Sequence, residues 1–116
     1  CATYTRSGPN APDYPSVYYA CHENGVDPLG FLGNETLCVQ GTGSQLGTNR
    51  WGDYSTTSID PLDGCTFWGT NEYGAVTGTF LWNTRVCSWS LPTCDVTLAT
   101  LTGTVTDLDT GDPKQP

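Results

Sequence analysis

The stretch WGDYSTTSIDPLDGCTFW, residues 51–68, decides how the chain is read. It crowds aromatics, hydroxyls and three aspartates together, a mixture found both in binding sites and in a strand, its turn and the next strand. Residues 53–59 (DYSTTSI) have the small, hydroxyl-rich side chains of a strand lying where two sheets approach closely. Asp60-Pro61-Leu62-Asp63-Gly64 reads as a turn, with Pro fixing φ and Gly free to take a positive value. Residues 65–73 (CTFWGTNEY) then read as the following strand. Working outward, residues 1–6, 16–21 and 36–40 carry the same strand signature. Val17, Tyr19 and Cys21 share one face of the second of these. Residues 79–90 (TFLWNTRVCSWS) place Phe80, Trp82, Thr84 and Val86 on one face, and Leu81, Asn83, Arg85, Cys87 and Trp89 on the other. Aromatics on both faces predict a strand sandwiched between two sheets. No segment has the three-and-four spacing of an amphipathic helix.

The 116-residue chain is therefore expected to be all-β, with two antiparallel sheets in residues 1–94. Residues 95–106 (DVTLATLTGTVT) predict a C-terminal strand, and the acidic tail DLDTGDPKQP completes an extension over 95–116. A formal charge of −8, with only Arg6, Arg50, Arg85 and Lys114 on the basic side, argues against nucleic acid and anionic membranes as partners. A cation or a neutral glycan is compatible with it. Six cysteines without a C-x-x-C pair predict three disulfides in an oxidising compartment. Cys21, His22 and Cys38 lack zinc-ligand spacing. Asn34-Glu35-Thr36 is a glycosylation sequon, and no run reaches transmembrane length. With neither an initiator Met nor a signal peptide, the chain reads as a processed product or part of something longer. No flexible polar spacer follows Cys1, which weighs against a lipoprotein anchor.

A weak repeat runs through the chain: CATYTRSG with YPSVYYAC resembles CTFWGTNEYG with FLWNTRVC, about 65 residues apart. Beyond this, GTGSQLGTNRWGDYSTTSIDPLDGCTFWGTNEYG, WNTRVCSW and PTC resemble the closing part of a sialidase-like (BNR-type) β-propeller of large secreted bacterial proteins. YPSVYYA fits the preceding blade, and LTGTVTDLDTGDP resembles the first strand of a carboxypeptidase-regulatory-like domain. The resemblance implies that residues 51–68 are a blade's inner strand, its hairpin turn and the next strand. PLDGCTF would be a degenerate Asp-box, a structural turn that brings no catalysis with it. The resemblance also implies a Cys65–Cys94 bridge. Cys21 and Cys87 depart from the family pattern, where small residues are more usual. Among the three pairings left, Cys21–Cys38 and Cys1–Cys87 are the expectation. Propellers close with ~4–8 blades, so two blades would leave Phe67, Trp68, Trp82, Val86 and Trp89 partly wet. Missing blades, symmetry mates, stacked copies or a strand donated from residues 95–106 would then supply the cover.

Chemistry-bearing residues are sparse. His22 is the one histidine, and its neighbour Cys21 cannot face it as a dyad partner. Asp53, Asp60, Asp63 and Glu72 could form a carboxylate pair, but turn chemistry explains them equally well. Sialidases use an arginine triad with a tyrosine nucleophile, which three dispersed arginines do not reproduce. The expectation is a chain that is not an enzyme and needs no cofactor. Trp51, Trp68 and Trp82 with Asp53 are candidate glycan contacts; sheet packing is the plainer explanation of such aromatics. Asp107, Asp109 and Asp112 are candidate calcium ligands, against the simpler reading of an acidic turn. The function expected is an extracellular structural module whose partners are other copies of itself, by sheet stacking or strand exchange, as in a filament. The alternatives are a lectin-like module and a scaffold fragment of a secreted hydrolase.

Overall fold

The computed structural model describes residues 1–92 and Cys94. The strands are β1 (Ala2–Arg6), β2 (Ser16–Ala20), β3 (Thr36–Val39), β4 (Thr56–Ile59), β5 (Thr66–Tyr73) and β6 (Asn83–Ser90). They form two antiparallel meanders, β1-β2-β3 and β4-β5-β6, and no helix occurs among the described residues. The C-terminal strand expected over 95–106 and the candidate calcium ligands Asp107, Asp109 and Asp112 lie outside the described residues.

The opening stretch is strand, turn and strand. Two of its three aspartates, Asp60 and Asp63, are consumed by the turn. Asp60 accepts from the Leu62 amide through Oδ1 (2.9 Å) and from the Trp68 indole through Oδ2 (3.1 Å). Asp63 Oδ1 accepts from the amides of Cys65 and Thr66 (both 2.8 Å), and Oδ2 from the Thr66 hydroxyl (2.6 Å). Gly64 closes the turn at φ 64°, where any side chain would be strained. The Thr66 hydroxyl, followed by the two amides, holds the Asp63 carboxyl below its ordinary pKa, because each bond favours the charged form.

The sheets stack through one face each. Register places Phe67 opposite Trp89 and Gly69 opposite Cys87. From the first sheet, Tyr19 stacks on Trp89 (centroids 4.2 Å apart), and Phe67 lies at 5.9 Å on the same indole. The Trp89 indole N–H points at Cys21 Sγ (3.2 Å). Trp89 is thus buried at 8 % exposure, not partly wet as two isolated blades would leave it; Val17, Cys21 and Cys87 complete the core.

The small side chains of β4 allow the close approach. The Thr3 amide donates to Thr57 Oγ1 (3.1 Å), the two threonine hydroxyls pair, and Thr3 Oγ1 donates to the Thr56 carbonyl (3.2 Å). Thr5 Oγ1 donates to the Glu72 carbonyl (2.7 Å).

Two expectations are corrected. The remaining cysteines pair as Cys1–Cys21 and Cys38–Cys87, not as Cys21–Cys38 and Cys1–Cys87; the third bridge joins Cys65 to Cys94. The reason is register and stacking. Ala2 lies opposite Ala20, which sets Cys1 beside Cys21 at the hairpin's open end. Cys38 beside β2 meets Cys87 across the sheet interface, their Cα atoms 6.3 Å apart. The second correction concerns residues 79–90. The strand begins at Asn83, and β6 lies at the edge of its sheet among the described residues. Phe80 takes φ 55° and breaks the extended run before it. Among the described residues, only the Cys87–Trp89 face of β6 is covered; Val86, on the other face, is 60 % exposed.

Candidate functional site

The outer face of the second sheet ends in a cleft built by two loops. Residues 41–46 and 74–78 are laced together by backbone bonds. The Thr42 and Gly43 amides donate to the Gly74 carbonyl (2.7 and 2.9 Å), Leu46 to the Gly78 carbonyl (2.9 Å), and Gly78 back to Ser44 (3.0 Å). Gly43 and Gly74 are required here, because a Cβ on either would run into the backbone of the opposite loop. This lacing fixes the segments that follow it. Residues 50–53 bring Arg50, Trp51 and Asp53 to the cleft, residues 80–82 bring Phe80 and Trp82, and β5 contributes Glu72.

The cleft has a volume of about 290 Å³. Phe80 and Trp82 meet edge to face, with centroids 6.1 Å apart and planes at 73°. Both are substantially open, at 57 % and 42 % exposure. Glu72 Oε2 accepts from the Gly52 amide (3.0 Å), which ties the first loop to the sheet. Asp53 Oδ2 accepts from Arg50 Nη2, and the Arg50 carbonyl accepts from Gln45 Nε2. The Trp51 indole N–H is buried and has no partner among the described residues. Phe80 holds a left-handed backbone that costs a bulky residue about 1–2 kcal/mol, while much of its ring gains nothing from burial.

Of the candidate glycan contacts, Trp51, Trp82 and Asp53 come together here. Trp68 does not: its indole bonds to Asp60 in the turn. Glu72 was legible as a carboxylate, and Arg50 as a neighbour of Trp51. Phe80 was missed as a site residue, because nothing in its neighbourhood marks a non-glycine residue for positive φ.

The remaining candidates stand apart. Cys21 is disulfide-bonded, and His22 Nδ1 pairs with the Phe31 carbonyl (2.8 Å). No group of three or more potential metal-ligating His, Cys, Asp or Glu side chains occurs among the described residues. Asn34 is exposed, at the rim of a second groove lined by Tyr19, Val26, Trp89 and Leu91.

The two outer faces differ. On the first sheet, Tyr4 and Tyr18 stack at 6.5 Å, Arg6 lies 4.4 Å above the Tyr18 ring, and Arg6 pairs with Glu35. Partial burial, followed by the Glu35 carboxylate, raises the Tyr4 pKa. This face thus has polar caps on its aromatics. On the second sheet, Trp68 (43 % exposed) and Val86 (60 %) are diagonal neighbours with an uncovered surface. No helix among the described residues is long and apolar enough to cross a membrane. No protein-family model, curated protein or solved structure matches this chain.

Proposed function

We propose that the chain is a structural module that associates with copies of itself outside the cell through the outer face and strand edges of its second sheet. The observation carrying this reading is the uncovered Trp68–Val86 surface beside an edge of β6 that pairs with no other strand among the described residues. Three disulfides in so short a chain fit an oxidising, extracellular setting. The propeller resemblance fits as well, since blades bury their faces against neighbours.

Magnitudes decide what such an interface requires. The open parts of Trp68 and Val86 amount to roughly 200 Å² of side chain, on the order of 5 kcal/mol at 25 cal/mol per Å². Association costs ~4–15 kcal/mol in lost freedom, so the face alone holds a weak contact. Pairing along β6 adds a ladder of backbone bonds and brings the contact into the range of a stable assembly. Sheet stacking and edge pairing therefore act together.

Sedimentation velocity of the full chain across a concentration series tests this. Species larger than the 12.4 kDa monomer are expected, growing with concentration and lost in Trp68→Lys/Val86→Lys. A monomer at every concentration refutes the proposal.

A further inference from the structure

We infer that the cleft between Trp51, Phe80 and Trp82 binds a neutral oligosaccharide, with the Asp53 and Glu72 carboxylates accepting from its hydroxyls. This inference is independent of self-association.

The shape of the site comes first. Phe80 and Trp82 present two apolar surfaces at a steep angle, and both are open to solvent. A pyranose ring has apolar C–H faces that rest on an aromatic plane and hydroxyls around its rim. A site for it needs aromatic walls with fixed polar groups beside them. Here the polar groups are fixed. The Gly52 amide holds one oxygen of Glu72, and Arg50 holds one oxygen of Asp53. The other oxygen of each carboxylate has no protein partner among the described residues.

Charge selects the class of sugar. Arg50 is already paired with Asp53, so Asp53, Glu72 and Arg50 together carry one net negative charge. With a chain charge of −8, this disfavours sialylated, sulfated or uronic acid ligands. Size adds a further limit. About 290 Å³ lies at the lower edge of small-ligand pockets, roughly 300–1,000 Å³, so the cleft holds one or two rings of a longer chain.

The strain at Phe80 points the same way. A bulky residue in the left-handed region, with most of its side chain in water, is better explained by ligand contact than by core packing.

Titration calorimetry on the full chain tests the inference, using cellohexaose, maltohexaose, mannohexaose and xylohexaose, with 3′-sialyllactose as the anionic comparison. At least one neutral hexaose is expected to bind saturably. Trp82→Ala should weaken it by about tenfold or more, while Leu29→Ala, at an exposed residue that does not line the cleft, should leave it unchanged. Glu72→Gln should also weaken binding, and it carries the test if circular dichroism shows that Trp82→Ala does not fold. Binding by none of the four hexaoses, affinity undiminished in folded variants, or preference for sialyllactose would each overturn the inference. Sedimentation of Trp82→Ala should match the parent chain, which separates loss of sugar binding from loss of assembly.

Discussion

Replacing Cys38 and Cys87 together by alanine removes the one disulfide that ties β3 to β6 across the sheet interface. The other two bridges each stay within one sheet and its flanking residues. A separation of 49 residues gives a loop-closure contribution of about 4 kcal/mol, against about 3 kcal/mol for the 20 residues between Cys1 and Cys21. Each pair has one core cysteine, Cys87 at 8 % exposure and Cys21 at 9 %, so packing widens the gap only through the second member: Cys38 is half-buried against the core, whereas Cys1 is exposed. The Cys38/Cys87 pair should therefore cost about 1–2 kcal/mol more than a Cys1→Ala/Cys21→Ala pair. Small domains have ~5–15 kcal/mol in total, so the loss leaves the fold marginal. The assay is urea unfolding under non-reducing conditions, followed by tryptophan fluorescence, with Trp89 at the interface as a reporter. With an m-value near 1 kcal/mol/M, the two double variants should differ in midpoint by about 1–2 M. Equal midpoints, or a larger loss from the Cys1/Cys21 pair, would refute the claim that the Cys38–Cys87 bridge holds the sheets together.

Gly69→Ala would put a methyl group against the Thr3 side chain and, at 3.0 Å, the Trp89 ring; thermal unfolding should show a loss of about 1–3 kcal/mol, with a red shift in Trp89 emission as the sheets part. Phe80→Gly should be more stable than Phe80→Ala by about 1 kcal/mol in paired urea titrations, because only glycine relieves the left-handed backbone. For Asp63, whose folded pKa lies below its ordinary value of 3.8, the stabilising contribution is complete above that value and is lost as pH falls through the folded one; an NMR titration of its carboxyl carbon should give a midpoint below 3.8, and Thr66→Val should move it back up.

What the residues themselves determined was local. Alternation in SVYYA and CTFWGTNEY, and the turn residues of DPLDG, settle strand, turn and strand, because each depends on neighbours a few positions away. The all-β class follows from repeating that pattern. The close approach of sheets was also legible in the small side chains of STTS, which leave room for Thr3 to bond to Thr57. The Cys1–Cys21 bridge was within reach, because a hairpin register pairing Ala2 with Ala20 leaves the two cysteines facing each other.

Only the tertiary structure decided the rest. Cys38 meets Cys87, and Tyr19 meets Trp89, because two sheets far apart in sequence stack face to face. The aromatic cleft exists because residues 41–46 are laced to 74–78, which brings Trp51 to Phe80 and Trp82. Alternation and turn chemistry are short-range forces written into consecutive residues. Which sheet face is buried, which cysteine finds which, and where the aromatics gather depend on contacts whose partners sequence order does not name.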